Sequence, residues 1–369
     1  MRKINHFAKS INSPPFSKKL LVINTKHPKN HSPEPKFILQ VVKLLRRHLM
    51  LYVFFQYRYL NKKIYPSYKR ILWIHNTTDN IGDSLMKTSS IRYLKSNGYD
   101  VDLCVTAKLH DLYRNNSYCS NVSKIEDLPT NKTNYDLIML DALSSKCMKI
   151  KMKFYRQKPF VTLYEFFNYY RADYNLTYFS WYRVQYLIDR DEYVDKMARP
   201  FVGDLVEKSV ENLKIDNNSL AIVCGGINEF RTYPKWIEVI SLIDKNLPIH
   251  VPIVLVGSEN GVIYANEIAN EFKDRNELIN CVGKYNLSES KAIISKCHMV
   301  IGPDGGILQI ANALDIKIIA LFAQIDCSLR FTEASDYKCL YDEKDVKNIK
   351  PEEIAHATIT EIKNNFLNI

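Results

Sequence analysis

Short apolar runs alternate with mixed polar segments along most of the chain. Ile71-Leu72-Trp73-Ile74, Val101 to Val105, Asp136 to Leu140 and Phe160 to Leu163 are each too short for a buried helix. They read as strands covered on both faces. Between the first two, a helix is expected from Gly82 to about Asn97, ended by Gly98. A second set follows with Leu220 to Cys224, Pro252 to Val256, the run around Val300-Ile301, and Ile316 to Phe322. Its helices start near Pro234, with Trp236, Ile240 and Ile243 on one face, run from Ile263 to Phe272, and open at the capping-box sequence Asn286-Leu287-Ser288-Glu289. Strands alternating with helices predict two α/β halves with parallel sheets, joined near residues 203–219.

The flanks follow other patterns. Residues 1–36 hold five prolines among lysines, serines and asparagines without a hydrophobic period, so an irregular extension is expected. From there Ile38, Val41, Val42, Leu45, Leu49, Tyr52 and Val53 share one helical face, and Gln40, Lys43, Arg46 and Arg47 lie towards the other. Such a basic amphipathic helix either lies on an anionic membrane surface or covers a domain. The charges within residues 37–60 leave no apolar span of the ~20 residues that cross a bilayer. Pro351 to Leu367 reads as a closing helix. The expected division is an extension over 1–69, a first α/β domain over 70–210, a second over 211–345 and a helix over 346–369.

Composition narrows this only a little. With 369 residues, 46% hydrophobic and 25% charged, the chain can build two cores. A net charge of +11 points to acidic partners without choosing among nucleic acid, anionic lipid and phosphorylated substrates. The eight cysteines show no metal-ligand spacing and are expected to be buried free thiols in a cytoplasmic protein. No export signal is apparent in the first thirty residues.

Open parallel sheets bind ligands beyond the carboxyl ends of their strands, so two such halves predict a cleft between them. Four loops are candidates to line it. They are Ile81-Gly82-Asp83, the segment from Gly225-Gly226 to Arg231, Gly257-Ser258-Glu259, and Asp304-Gly305-Gly306. In this order they resemble glycosyltransferase family 9, the heptosyltransferases of the bacterial lipopolysaccharide core. The resemblance lies in the Gly-Asp after the first strand, in Cys224-Gly225-Gly226 with Arg231-Thr232-Tyr233-Pro234-Lys235-Trp236, in Val256-Gly257-Ser258-Glu259, and in Asp304-Gly305-Gly306 opening a helix. Gly305 and Gln309 stand where the family usually has Thr and His. The resemblance implies a GT-B fold of two Rossmann-like domains, nucleotide held mainly by the second, inverting transfer without a metal, and no cofactor. It further implies a nucleotide-sugar donor, ADP-heptose foremost with UDP-hexose as the alternative, a phosphorylated lipopolysaccharide or lipooligosaccharide acceptor, and peripheral contact with the inner membrane.

Transfer needs a base for the acceptor hydroxyl and positive charge for the departing diphosphate. Asp83 suits the first role, with a helix cap as the plainer alternative. Arg231 suits the second, because a guanidinium fork matches phosphate oxygens. Donor contacts are expected from Gly225, Gly226, Lys235, Gly257, Glu259, Asp304, Gly305, Gly306 and Gln309. Glu259 would accept from ribose hydroxyls, and Asp304 would orient its glycines or bond a sugar hydroxyl. Lys149, Lys151, Lys153, Arg156 and Arg171, followed by tyrosines, are candidates for acceptor binding. The same residues could instead form a solvated rim or bind single-stranded nucleic acid. A non-catalytic polyanion- or membrane-binding protein is the reading from another class.

Overall fold

A computed structural model describes residues 14–17, 37–130, 133–167, 174–205 and 207–364. The described residues divide into two compact units, the first running to Asp204 and the second from Leu205.

In the amino-terminal unit the helix α1 (Phe37–Val53) precedes β1 (Arg70–Ile74), α2 (Ile81–Thr88), α3 (Ile91–Ser96), β2 (Asp100–Val105), α4 (Ala107–Tyr113) and β3 (Asn121–Lys124). Then come β4 (Leu137–Leu140), α5 (Ser145–Phe154), β5 (Phe160–Thr162) and α6 (Leu176–Leu187). The five strands are parallel in the order β3-β2-β1-β4-β5. That order reverses between β1 and β4, and the crevice at such a reversal is where doubly wound sheets bind ligands. Apart from exposed Arg70 at the start of β1, the central strands β1 and β4 are buried because apolar side chains point from both of their faces into helices.

Two expectations change here. The helix predicted as one piece from Gly82 is two, α2 and α3, broken at Ser89-Ser90. There Thr88 Oγ1 donates to the Ser84 carbonyl and Ser89 Oγ to the Met86 carbonyl, bonds that compete with the helical ladder. The expected amino-terminal helix is present as α1, which packs on this unit through buried Leu44 and Leu51. Within the predicted irregular segment, Pro14–Ser17 is docked. Arg183 Nη1 donates to the Pro15 carbonyl, and Phe16 meets Phe179 edge-on at 5.2 Å.

The carboxy-terminal unit contains β6 (Leu220–Val223), α7 (Trp236–Asn246), β7 (Ile253–Val256), α8 (Val262–Glu271), β8 (Leu278–Asn280) and α9 (Leu287–Ser295). It continues with β9 (Met299–Pro303), α10 (Gly306–Ala313), β10 (Lys317–Ala323), β11 (Tyr337–Asp342) and α11 (Pro351–Ile362). Six parallel strands run in the order β11-β10-β9-β6-β7-β8, with the reversal between β6 and β9. The capping box at Asn286 forms in both directions. The closing helix α11 packs on α7 as part of this unit's core.

The cysteine expectation holds for six buried free thiols. It is corrected for Cys327 and Cys339, which form a disulfide. Cys327 opens the turn after β10 and Cys339 lies on β11, the strand beside β10, so the sheet brings them together.

Candidate functional site

The sheet reversal in the carboxy-terminal unit brings the ends of β6 and β9 side by side, and with them the two glycine turns. At Gly225, φ is +81° and an added Cβ would meet Gly261 at 2.7 Å, so this corner admits only glycine. Asn260 Nδ2 donates to the Gly226 carbonyl at 2.6 Å, and Ser258 Oγ bonds Asn260 Oδ1. Gly225, Gly226, Gly257 and exposed Glu259 therefore form one linked edge. The chain then makes a short turn, Glu229–Arg231, held down by Tyr233. Tyr233 is fully buried, donates to the Ile349 carbonyl at 3.1 Å and stacks edge-on with Trp236. The aromatic-Pro pair of the sequence thus anchors the turn that presents Arg231.

Arg231 Nη1 lies 3.0 Å from Asp304 Oδ2, and Arg330 Nε approaches the same oxygen at 3.8 Å. The closer approach is a charge contact without hydrogen-bond alignment. Arg231 Nε and Asp304 Oδ2 are both buried and lack a hydrogen-bond partner in the protein. A buried polar atom left unpaired within the protein calls for another partner, such as a ligand group, an ion or water. Two guanidinium groups against one carboxylate leave net positive charge at this turn, so the Asp304 carboxylate does not make it anionic. Directly after it, Gly305 caps α10 with no side-chain bond, so the first N–H groups of that helix are not capped by a side chain. Gly305 has φ −177°, and an added Cβ would find only the Pro303 carbonyl oxygen at 3.7 Å. Glycine there leaves open space rather than relieving strain.

Gln309 is buried and donates from Nε2 to the Arg330 carbonyl at 3.2 Å, with Asn312 on its other side. Both of these partners lie within the carboxy-terminal unit. Arg330 was not among the expected residues. It follows the Cys327–Leu329 turn closed by the disulfide, and no motif marks it in the sequence. Lys235 is the N-cap residue of α7 and half-buried.

In the amino-terminal unit, Asp83 is the third residue of α2, partly exposed, in the first turn where the helix dipole favours a carboxylate. The N-cap position is held by Asn80, so Asp83 is not the cap. Beneath it lies a buried polar array that the sequence did not reveal. Ser84 Oγ bonds His75 Nε2 at 2.9 Å, and His75 Nδ1 bonds Asp141 Oδ1 at 2.9 Å. Asp141 also accepts from Trp73 Nε1, the Asn76 and Thr77 amides and the Thr77 hydroxyl. Ser84 meets Tyr113 at 2.7 Å on its far side. Burial pushes the Asp141 carboxyl up, but the charge and hydrogen bond of His75, nearby Lys87 and the Trp73 indole together outweigh it and hold it down at about 2. The array joins the ends of β1 and β4 to the residue after Asp83, and so fixes the turn that carries it.

The predicted acceptor cluster divides. Lys149, Lys153 and Arg156 are exposed. Lys151 is corrected: its ammonium is buried, donates to Gln56 Oε1 and to the Arg156 carbonyl, and lies 4.6 Å from the centre of the Phe160 ring. One turn of α5 points a charge-run residue inward, where it cannot meet an acceptor. Arg171 lies outside the described residues. Among the described residues no group of His, Cys, Asp and Glu side chains is arranged to hold a metal ion.

The glycosyltransferase family 9 (heptosyltransferase) family model matches residues 200–345. No curated protein matches the chain. Among solved structures, a glycosyl transferase family 9 protein from Veillonella parvula aligns with a TM-score of 0.64 at 13% identity, covering 82% of this chain and 100% of that one. The E. coli ADP-heptose lps heptosyltransferase II aligns at 0.60 and 16% identity, covering 80% and 99%. E. coli heptosyltransferase WaaC with ADP aligns at 0.55 and 12% identity, covering 81% and 100%. These structures share the two-sheet GT-B layout with this chain, and the family match falls on the carboxy-terminal sheet that holds Arg231 and Asp304.

Proposed function

We propose that the protein is an inverting, metal-independent glycosyltransferase that moves heptose from ADP-heptose onto a phosphorylated lipopolysaccharide or lipooligosaccharide core. The observation that carries this reading is the Asp304 turn, with an arginine pair, an unsatisfied buried guanidinium N–H on Arg231 and a helix start without a side-chain cap in one place. That is the chemistry a nucleoside diphosphate requires. The ADP named with the WaaC structure supports adenosine as the nucleoside. In this reading the acceptor oxygen attacks the anomeric carbon while Asp83 takes its proton. The bond from that carbon to the diphosphate breaks, and Arg231 with the α10 amides stabilises the charge that leaves. Glu259 receives the ribose, and exposed Lys149, Lys153 and Arg156 the acceptor phosphates. The acceptor lies at the cytoplasmic face of the inner membrane, which the protein reaches as a peripheral enzyme.

A second reading keeps the reaction and changes the donor to a UDP-hexose. It is favoured by Gly305, which leaves space where the family's threonine would stand, and by Gln309, which is occupied with the Arg330 carbonyl. Thermal shifts with ADP, UDP, GDP and CMP separate the two, because a ligand at 100 times its Kd adds about 2.7 kcal/mol. Asp83→Ala is expected to retain the nucleotide shift and lose transfer by roughly a hundredfold or more. Near-parental turnover in that variant would remove Asp83 from the mechanism.

A further inference from the structure

The face of α1 that the sequence marks as apolar is turned outward. Ile38, Val42, Leu45, Leu49 and Tyr52 follow one another at helical spacing and are 54–74% exposed. The opposite side holds the helix to its unit, with Leu44, Leu51 and the polar Gln40 buried. An amphipathic helix that merely covers a domain would do the reverse. The stripe continues past the helix end into Phe54, Phe55 and Tyr57, all exposed, with Phe55 in a left-handed conformation at φ 55°. Apolar area of this extent on a single element marks an interaction site.

The surrounding charge selects the partner. No acidic residue occurs between Glu34 and Asp79, while Lys43, Arg46, Arg58 and Lys62 are exposed in that interval. Arg46 Nη2 bonds Ser145 Oγ at 2.8 Å, joining α1 to the first residue of α5. That helix exposes Lys146, Lys149 and Lys153, and no acidic residue lies between Asp141 and Glu165. A protein partner or a second copy would need acidic groups to match these cations, and an identical face offers none. A bilayer with anionic headgroups supplies both acyl chains for the stripe and negative charge for its margin.

We infer that α1 and the aromatic turn after it, flanked by the α5 lysines, form a docking surface for an anionic lipid bilayer, with the helix lying in the interface plane. The surface serves the acceptor of the proposed reaction but does not depend on which sugar is transferred.

The test is co-flotation of the full chain with vesicles of phosphatidylcholine alone and of phosphatidylcholine mixed with phosphatidylglycerol. Strong recovery with the anionic vesicles, weakening as salt rises, is expected. The double variant Leu45→Glu/Leu49→Glu alters only exposed side chains, so it should keep the parental melting temperature and its turnover on a water-soluble acceptor, yet lose about tenfold or more in vesicle binding. Lys146→Glu/Lys149→Glu should weaken binding to the anionic vesicles alone. Equal binding by parent and the leucine variant would overturn the inference. So would absence of flotation by the parent, or a parental dimer that the leucine variant dissociates without any vesicle binding. A transfer reading that fails on the soluble acceptor leaves the flotation result standing, so the two are separable.

Discussion

Gly305 shows how one position separates what the fold needs from what the ligand needs. Its extended backbone suits any residue, and the nearest atom to an added Cβ is 3.7 Å away, so Gly305→Thr should fit without strain. Stability is expected within ~0.5 kcal/mol of the parent, as for substitutions that displace nothing. The added hydroxyl would stand at the start of α10, and tighter ADP binding by titration calorimetry is the expected gain. A large loss of stability would mean that the turn is packed after all. Gly225, on its positive φ against Gly261, offers no such freedom. The loop glycines look alike as letters. They differ only once the neighbours across β6 and β9 are known.

At the scale of elements, Lys151 turns a surface expectation into a pH dependence. Burial lowers its ammonium from 10.5 to about 7. Below about pH 7 both folded and unfolded chains carry the proton, and the folded state bears the full cost of burying it. Between about 7 and 10.5 the unfolded chain binds more protons, so this contribution to stability rises with pH. Lys151→Met keeps the length of the side chain and removes the charge. Its melting temperature relative to the parent should fall by a few degrees as pH is raised from about 6 to about 9, since ~1 kcal/mol corresponds to roughly 2–4 °C in a unit of this size. A pH-independent difference would show that the ammonium is not the cause. Sequence reading succeeded where a strand is covered on both faces, because β1, β4, β6 and β7 are then continuous apolar runs. It missed β3, β8 and β11, edge strands whose half-exposed residues mix polar and apolar side chains. It also missed His75, Ser84 and Asp141. Asp141 lies 66 positions from His75 along the chain and meets it only because β1 and β4 pair in parallel. Charge periodicity alone could not tell that Lys151 faces the core while Lys149 and Lys153 do not.

For the molecule as a whole, the two sheets each reverse their strand order once, and each reversal holds candidate site residues, Asp83 in one unit and Arg231 with Asp304 in the other. The compared structures are covered almost end to end by about four-fifths of this chain, so about a fifth of it has no counterpart in them. The six free thiols add something at this scale. Cys104, Cys119 and Cys147 are buried in the first unit, and Cys224, Cys281 and Cys297 in the second. Burial raises every one of them, to about 11 for Cys281 and about 12 for the others, so thiolate is scarce in the native state at neutral pH. The chain thus carries a built-in clock for opening in each half. Alkylation followed by peptide mass spectrometry would time the two sets separately without any engineered label. If ADP binds where proposed, it should slow labelling of Cys224, Cys281 and Cys297 several-fold more than that of the first three, whereas equal slowing of both sets would place the nucleotide's grip elsewhere.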